Sequence, residues 1–76
     1  VDFMNNTRRK RIAEAVDLIG QAKDILEEVR DEEQESYDNL PESLQISERG
    51  DQMLENIDNL EEMLDLLEEA EELKEM

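Results

Sequence analysis

The residues of this chain that could do chemistry are carboxylates. Asp and Glu account for 24 of 76 residues, and pairs that stand three positions apart include Glu28/Asp31, Glu32/Glu35, Glu55/Asp58, Glu62/Asp65, Glu68/Glu71 and Glu69/Glu72. On a helix that spacing puts both groups on one face, the arrangement by which some all-α nucleotide pyrophosphatases hold magnesium. Crowding alone supplies such pairs at this density of acids, and the seam between them is apolar. The carboxylates are therefore expected to face solvent rather than a shared pocket. The calcium-loop pattern with its central Gly is absent. With no His and no Cys, the commonest acid/base group, the thiolate nucleophile, disulfides and the usual zinc ligands are missing. Ser36, Tyr37, Ser43 and Ser47 have no nearby base to activate a hydroxyl. The expectation is a protein that is not an enzyme and that uses no metal or other cofactor.

The elements that position these acids follow from the apolar spacing. One Phe, one Tyr, two Gly and one Pro are poor material for strands and turns. From Ile12 onward, apolar and small residues recur at steps of three and four: Ile12, Ala15, Ile19, Ala22, Leu26, Val29, then Glu33, Ser36 and Leu40. This is the a/d seam of a heptad pattern, flanked by Val16, Leu18 and Ile25, and it predicts a helix over about 7–38. Ile46, Gly50, Met53, Ile57, Leu60, Leu64 and Leu67 repeat the rule and predict a second helix over about 47–74. Pro41 forces Leu40 out of helical geometry and sets a turn at 39–46. Asn39 and Ser43 are candidate caps within that turn, and Ser47 is the candidate N-cap of the second helix. The fold expected is all-α: an antiparallel two-helix hairpin, coiled-coil-like, forming a single domain over 4–76. Met4-Asn5-Asn6-Thr7 reads as a natural start, and Val1-Asp2-Phe3 as an added or upstream segment. Pairing outward from the loop sets Ser36 by Gly50, Glu33 by Met53, Leu26 by Leu60, Ile19 by Leu67 and Ile12 by Lys74.

One neighbour cannot cover stripes this wide, and a domain of this size buries only about 60% of the surface its unfolded chain exposes. Self-association into a bundle, a homodimer first, or docking on a partner protein is expected. The surplus apolar stripe Met63, Leu66, Ala70 and Leu73 is the candidate contact.

Charge is unevenly spread. Residues 1–30 hold six acids and six bases, whereas residues 31–76 hold eighteen acids against Arg49 and Lys74. The basic cluster Arg8, Arg9, Lys10, Arg11 is unfavourable at a helix N-terminus. Neutralisation by Glu68, Glu69, Glu71, Glu72 and Glu75 at the end of the second helix is expected. A net charge of −16 repels polyphosphate and anionic lipid, so neither direct nucleic-acid nor membrane binding is expected. Glu33 lies in the seam, where an unpaired carboxylate is costly, and Arg49 is its expected ion-pair partner. Glu55, Asp58, Glu61, Glu62, Asp65, Glu68, Glu69 and Glu72 form an acidic surface that offers an alternative function, imitation of the phosphate rows of DNA toward a nucleic-acid enzyme.

Tyr37-Asp38-Asn39-Leu40-Pro41-Glu42-Ser43-Leu44-Gln45, followed by Ser47-Glu48-Arg49-Gly50 and by Ile57-Asp58-Asn59-Leu60-Glu61, resembles a family of uncharacterised small acidic proteins of bacteriophages and prophages of low-GC Gram-positive bacteria. The resemblance spans nearly the whole chain. It implies a mobile-element accessory protein that binds and modulates a host or phage protein in the cytoplasm of the bacterial host, and it transfers no catalytic or binding residues. A small assembly or scaffolding component of the virion is the further alternative.

Overall fold

The computed structural model describes residues 5–75, so the reading of Val1-Asp2-Phe3 and Met4 lies outside the described residues. The described chain is all-helical: α1 spans Asn6–Asp38, the short α2 spans Glu42–Gln45, and α3 spans Glu48–Ala70 and tightens into a 3-10 turn, η1, over Glu71–Glu75. Among the described residues no helix is long and apolar enough to cross a membrane.

Local chemistry sets the boundaries. Asn5 sits in extended backbone at the start of α1, and its Oδ1 accepts from the Arg8 amide at 2.9 Å, which satisfies one of the orphan donors of the first turn. At the other end, the Asn39 amide donates to the Glu35 carbonyl at 3.0 Å and the Leu40 amide to that of Tyr37 at 3.1 Å, and Pro41 allows no continuation. Asn39 thus closes α1, and Ser43 lies inside α2 rather than capping it. The Pro41 carbonyl accepts from the Leu44 and Gln45 amides at 2.8 and 3.0 Å, which starts the single turn of α2. Gln45 ties this turn back to the end of α1 through its Nε2, which donates to the Tyr37 carbonyl at 3.1 Å. Ser47 does occupy the extended position before α3, but its hydroxyl donates to the Leu44 carbonyl and caps nothing. Glu48 and Asp51 in the first turn complement the dipole of α3 instead. Ile46, expected to open the second seam, stays outside the helix and is 85% exposed.

α3 packs back along α1, because Glu33 meets Asn56 and Lys23 meets Glu71. The register differs from the one expected. Glu33 finds Asn56, three positions beyond Met53, and Leu26 shares a groove with Met63 and Leu67 rather than standing opposite Leu60. The cause lies in the connection, where α2 packs on the start of α3 and is tied to α1 by the Gln45–Tyr37 hydrogen bond. A Cβ at Gly50 would stand 2.0 Å from the Gln45 carbonyl oxygen and 2.7 Å from that of Leu44, so the close approach expected between Gly50 and Ser36 is made to α2. The first turn of α3 therefore lies beyond the end of α1, and α3 slides by about one turn toward the loop.

The core is narrow. Met53, Ile57 and Leu64 are its buried apolar side chains, all on α3, while α1 contributes no fully buried residue. The radius of gyration is 17.8 Å, against about 11 Å for a compact chain of this length, as befits a rod 62 Å long.

The two glycines should respond oppositely to a methyl group. Gly50→Ala forces backbone against backbone and should cost about 1–3 kcal/mol in urea denaturation. Gly20→Ala, whose Cβ meets nothing within 4 Å in mid-helix, should stabilise by about 0.5–1 kcal/mol.

Candidate protein-interaction face

The rotation of α1 about its own axis decides which side chains are left for a partner. Its half-buried positions are Ile12, Val16, Ile19, Lys23, Leu26, Arg30, Glu33 and Tyr37, together with Gly20, Ala22 and Glu27. The first eight recur at steps of four and three and form the side that meets α3. The expected seam is split by this: Ile12, Ile19, Leu26 and Glu33 turn inward, whereas Ala15, Val29 and Ser36 are exposed.

Three of the eight inward positions carry charge. Long side chains at the edge of a helix contact cover apolar surface with their stems while their heads reach water or a partner. Lys23 Nζ donates to Glu71 Oε1 at 2.7 Å, and Arg30 pairs with its neighbour Asp31 at 3.2 Å. Glu33 Oε2 accepts from Asn56 Nδ2 at 2.9 Å. The expected Glu33–Arg49 ion pair does not form: among the described residues the ion pairs are Lys23–Glu71 and Arg30–Asp31, and Arg49 is exposed in the first turn of α3. The slide of α3 explains the exchange, since it carries Arg49 past the end of α1 and brings Asn56 level with Glu33.

The same slide corrects the expected neutralisation of the basic cluster. Neither Arg8, Lys10 nor Arg11 pairs with an acid of η1. The cations among Glu68, Glu71, Glu72 and Glu75 are Lys23 and Lys74. Continuing the Glu33/Asn56 register places Glu75 level with about Glu14, so the first two turns of α1 run past η1. Lys23 is held above the ordinary lysine range by the hydrogen bond it donates to Glu71, against a smaller loss from desolvation, and further by the charges of Glu71, Glu68 and Glu27.

Beside this polar-studded contact lies an open apolar face. Ala22, Leu26, Met63, Leu66 and Leu67 line one shallow groove across the two helices. The next groove toward the loop is lined by Val29, Glu33, Asn56, Asn59, Leu60 and Met63. Ala22 and Val29 belong to a row on α1, Ala15, Leu18, Ala22, Ile25 and Val29, that recurs at steps of three and four and so shares one stripe. In that row Leu18 is 59% exposed and Ile25 60%. Leu66 matches them at 60%, with Met63 and Leu73 also exposed and Ala70 half-buried. The nominated stripe Met63, Leu66, Ala70 and Leu73 is thus the α3–η1 half of a wider surface. Its α1 half was missed because Ala15, Ala22 and Val29 fit the inward seam equally well on spacing. The acids Glu55, Asp58, Glu61, Glu62, Asp65, Glu68, Glu69 and Glu72 are all exposed. Among the described residues no three carboxylates converge where a metal ion could be held.

No family model, curated protein or solved structure matches the chain.

Two substitutions test the polar contacts. Asn56→Ala leaves the part-buried Glu33 carboxylate without its donor and should cost about 1 kcal/mol in urea denaturation, with Asn56→Asp costing more. Because the folded-state pKa of Lys23 is raised, its contribution is complete below the unfolded lysine value and is lost as pH rises through the folded one. The melting temperature should therefore fall above about pH 10.4, and Lys23→Gln should flatten that fall in a pH series of thermal melts.

Proposed function

We propose that this chain is a non-enzymatic protein-binding module: an antiparallel, coiled-coil-like hairpin whose open face seats a helical surface of a protein partner and completes a bundle. One observation carries the reading. The contact between α1 and α3 contains Lys23, Arg30 and Glu33, while Leu18, Ile25, Met63 and Leu66 remain exposed on the adjoining face. A soluble monomer rarely leaves a contiguous apolar surface outside while turning charge inward, and rimmed patches of this kind mark interaction sites. The groove also has the shape that receives an amphipathic helix through anchors at helical spacing. The resemblance of the Asn-Leu-Pro-Glu-Ser turn to bacteriophage and prophage proteins supports a mobile-element accessory role, in which the completed bundle modulates a host or phage protein of the bacterial cytoplasm.

A second reading has its own support. Asp58, Glu61, Asp65 and Glu68 form an exposed row along α3, which suits a DNA-mimicking inhibitor of a nucleic-acid enzyme. Salt separates the two, since charge-driven contacts between exposed groups are screened and apolar ones are not. Capture from a host lysate by the tagged protein, read by mass spectrometry, should survive high salt and fall at least tenfold with Leu66→Lys. Capture that vanishes at high salt, ignores Leu66→Lys and is lost with Asp58→Asn/Asp65→Asn would replace the first reading by the second.

A further inference from the structure

Resting on that reading of the open face, we propose that its occupant is a second copy of this chain, related by a two-fold axis along the rod. The α1 helix of each copy then lies over α3 and η1 of the other.

The area is commensurate with a dimer. The chain exposes 6072 Å², whereas a compact monomer of its mass exposes about 4,800 Å². The difference, on the order of 1,200 Å², is the surplus of the rod as a whole, and burying the roughly 800 Å² that each partner contributes to a stable interface would bring each copy nearer the exposure of a compact chain. The face also has the symmetry an isologous contact needs. Its two halves, Leu18 to Val29 on α1 and Leu60 to Leu73 on α3–η1, lie at the same level in the Glu33/Asn56 register. A rotation about the long axis therefore sets one half on the other without a lengthwise shift.

Charge selects this axis over one running across the rod. The segment Glu48–Glu75 holds twelve acids against Arg49 and Lys74, while α1 holds ten acids against six bases. An axis across the rod would stack the two acidic segments on each other, whereas the long axis puts them on a diagonal and gives each the less acidic α1 as its neighbour. Arg11 and Arg8 line a notch with Ile12 and Ala15 on the overhanging end of α1. In the Glu33/Asn56 register this end runs past the second copy's η1 as it runs past its own, so the choice of axis rests on the acidic segments.

Sedimentation equilibrium of the full chain tests the proposal. We expect a species of twice 8.9 kDa at micromolar concentration, with Ile25→Asp and Leu66→Lys each weakening self-association at least about 30-fold while the helical circular dichroism is kept. The chain has no Cys, so separate Ile25→Cys and Leu66→Cys variants can be mixed, and the mixed disulfide should form faster than either variant's own. Faster self-disulfides would overturn the axis. A monomer that binds an apolar-surface dye, and loses it with Leu66→Lys, would overturn the second copy and leave the open face standing. A monomer that binds no dye, or a dimer indifferent to both substitutions, would overturn both.

Discussion

A helix of 3.6 residues per turn that carries apolar side chains at both of two overlapping heptad rows can give only one row to a single neighbour. That constraint governs this molecule. In α1 the row given to α3 is Ile12, Val16, Ile19, Lys23, Leu26, Arg30, Glu33 and Tyr37, and the row left outside contains Leu18, Ile25 and Val29. The narrowness of the core follows, because α1 meets α3 with long amphipathic side chains rather than with a continuous oily strip. Met53, Ile57 and Leu64 are enclosed from the α3 side, and nothing on α1 is enclosed in return. A two-helix unit built in this way has its apolar surplus arranged on one side, which is the physical basis for assigning it a role in association.

Electrostatics pushes the same way. α1 has no acid in its first turn and no base in its last, and its termini instead carry Arg8–Arg11 and Glu35–Asp38. Both ends oppose its own dipole, so α1 draws little support from its charges and depends on packing. α3 is better arranged at its start, where Glu48 and Asp51 sit in the first turn. Its far end accumulates carboxylates that Lys23 reaches across to meet.

Much of the architecture could be read from residue spacing. The helical character, the break enforced by Pro41, the extended backbone at Ser47 and the enclosure of Gly50, Met53, Ile57 and Leu64 all follow from rules that act within a few residues. What spacing could not settle was rotation and register. Ala15, Ala22 and Val29 belong to two rows at once, and choosing between them depends on how Val16, Lys23 and Arg30 fill the space against α3. The register differs from the heptad expectation by about one turn because a four-residue helix in the connection docks on α3 through the bare backbone of Gly50, a contact with no hydrophobic signature. Rotation and register both bear on the site. They exchange Arg49 for Asn56 as the companion of Glu33 and leave the basic turn of α1 beyond the acids expected to neutralise it.

The cross-helix contacts of Lys23 and Glu33 have an effect beyond the bonds themselves. A coil held together by leucines alone can creep along its partner by a heptad and lose little, since one oily layer resembles the next. Here a slip of seven residues would set Lys23 against Leu64 in one direction or Glu33 against Met63 in the other, and in either case leave Asn56 and Glu71 without their present companions. The polar steps in the contact act as a ratchet tooth, so whatever meets the outer face meets grooves whose depth and position along the rod do not wander.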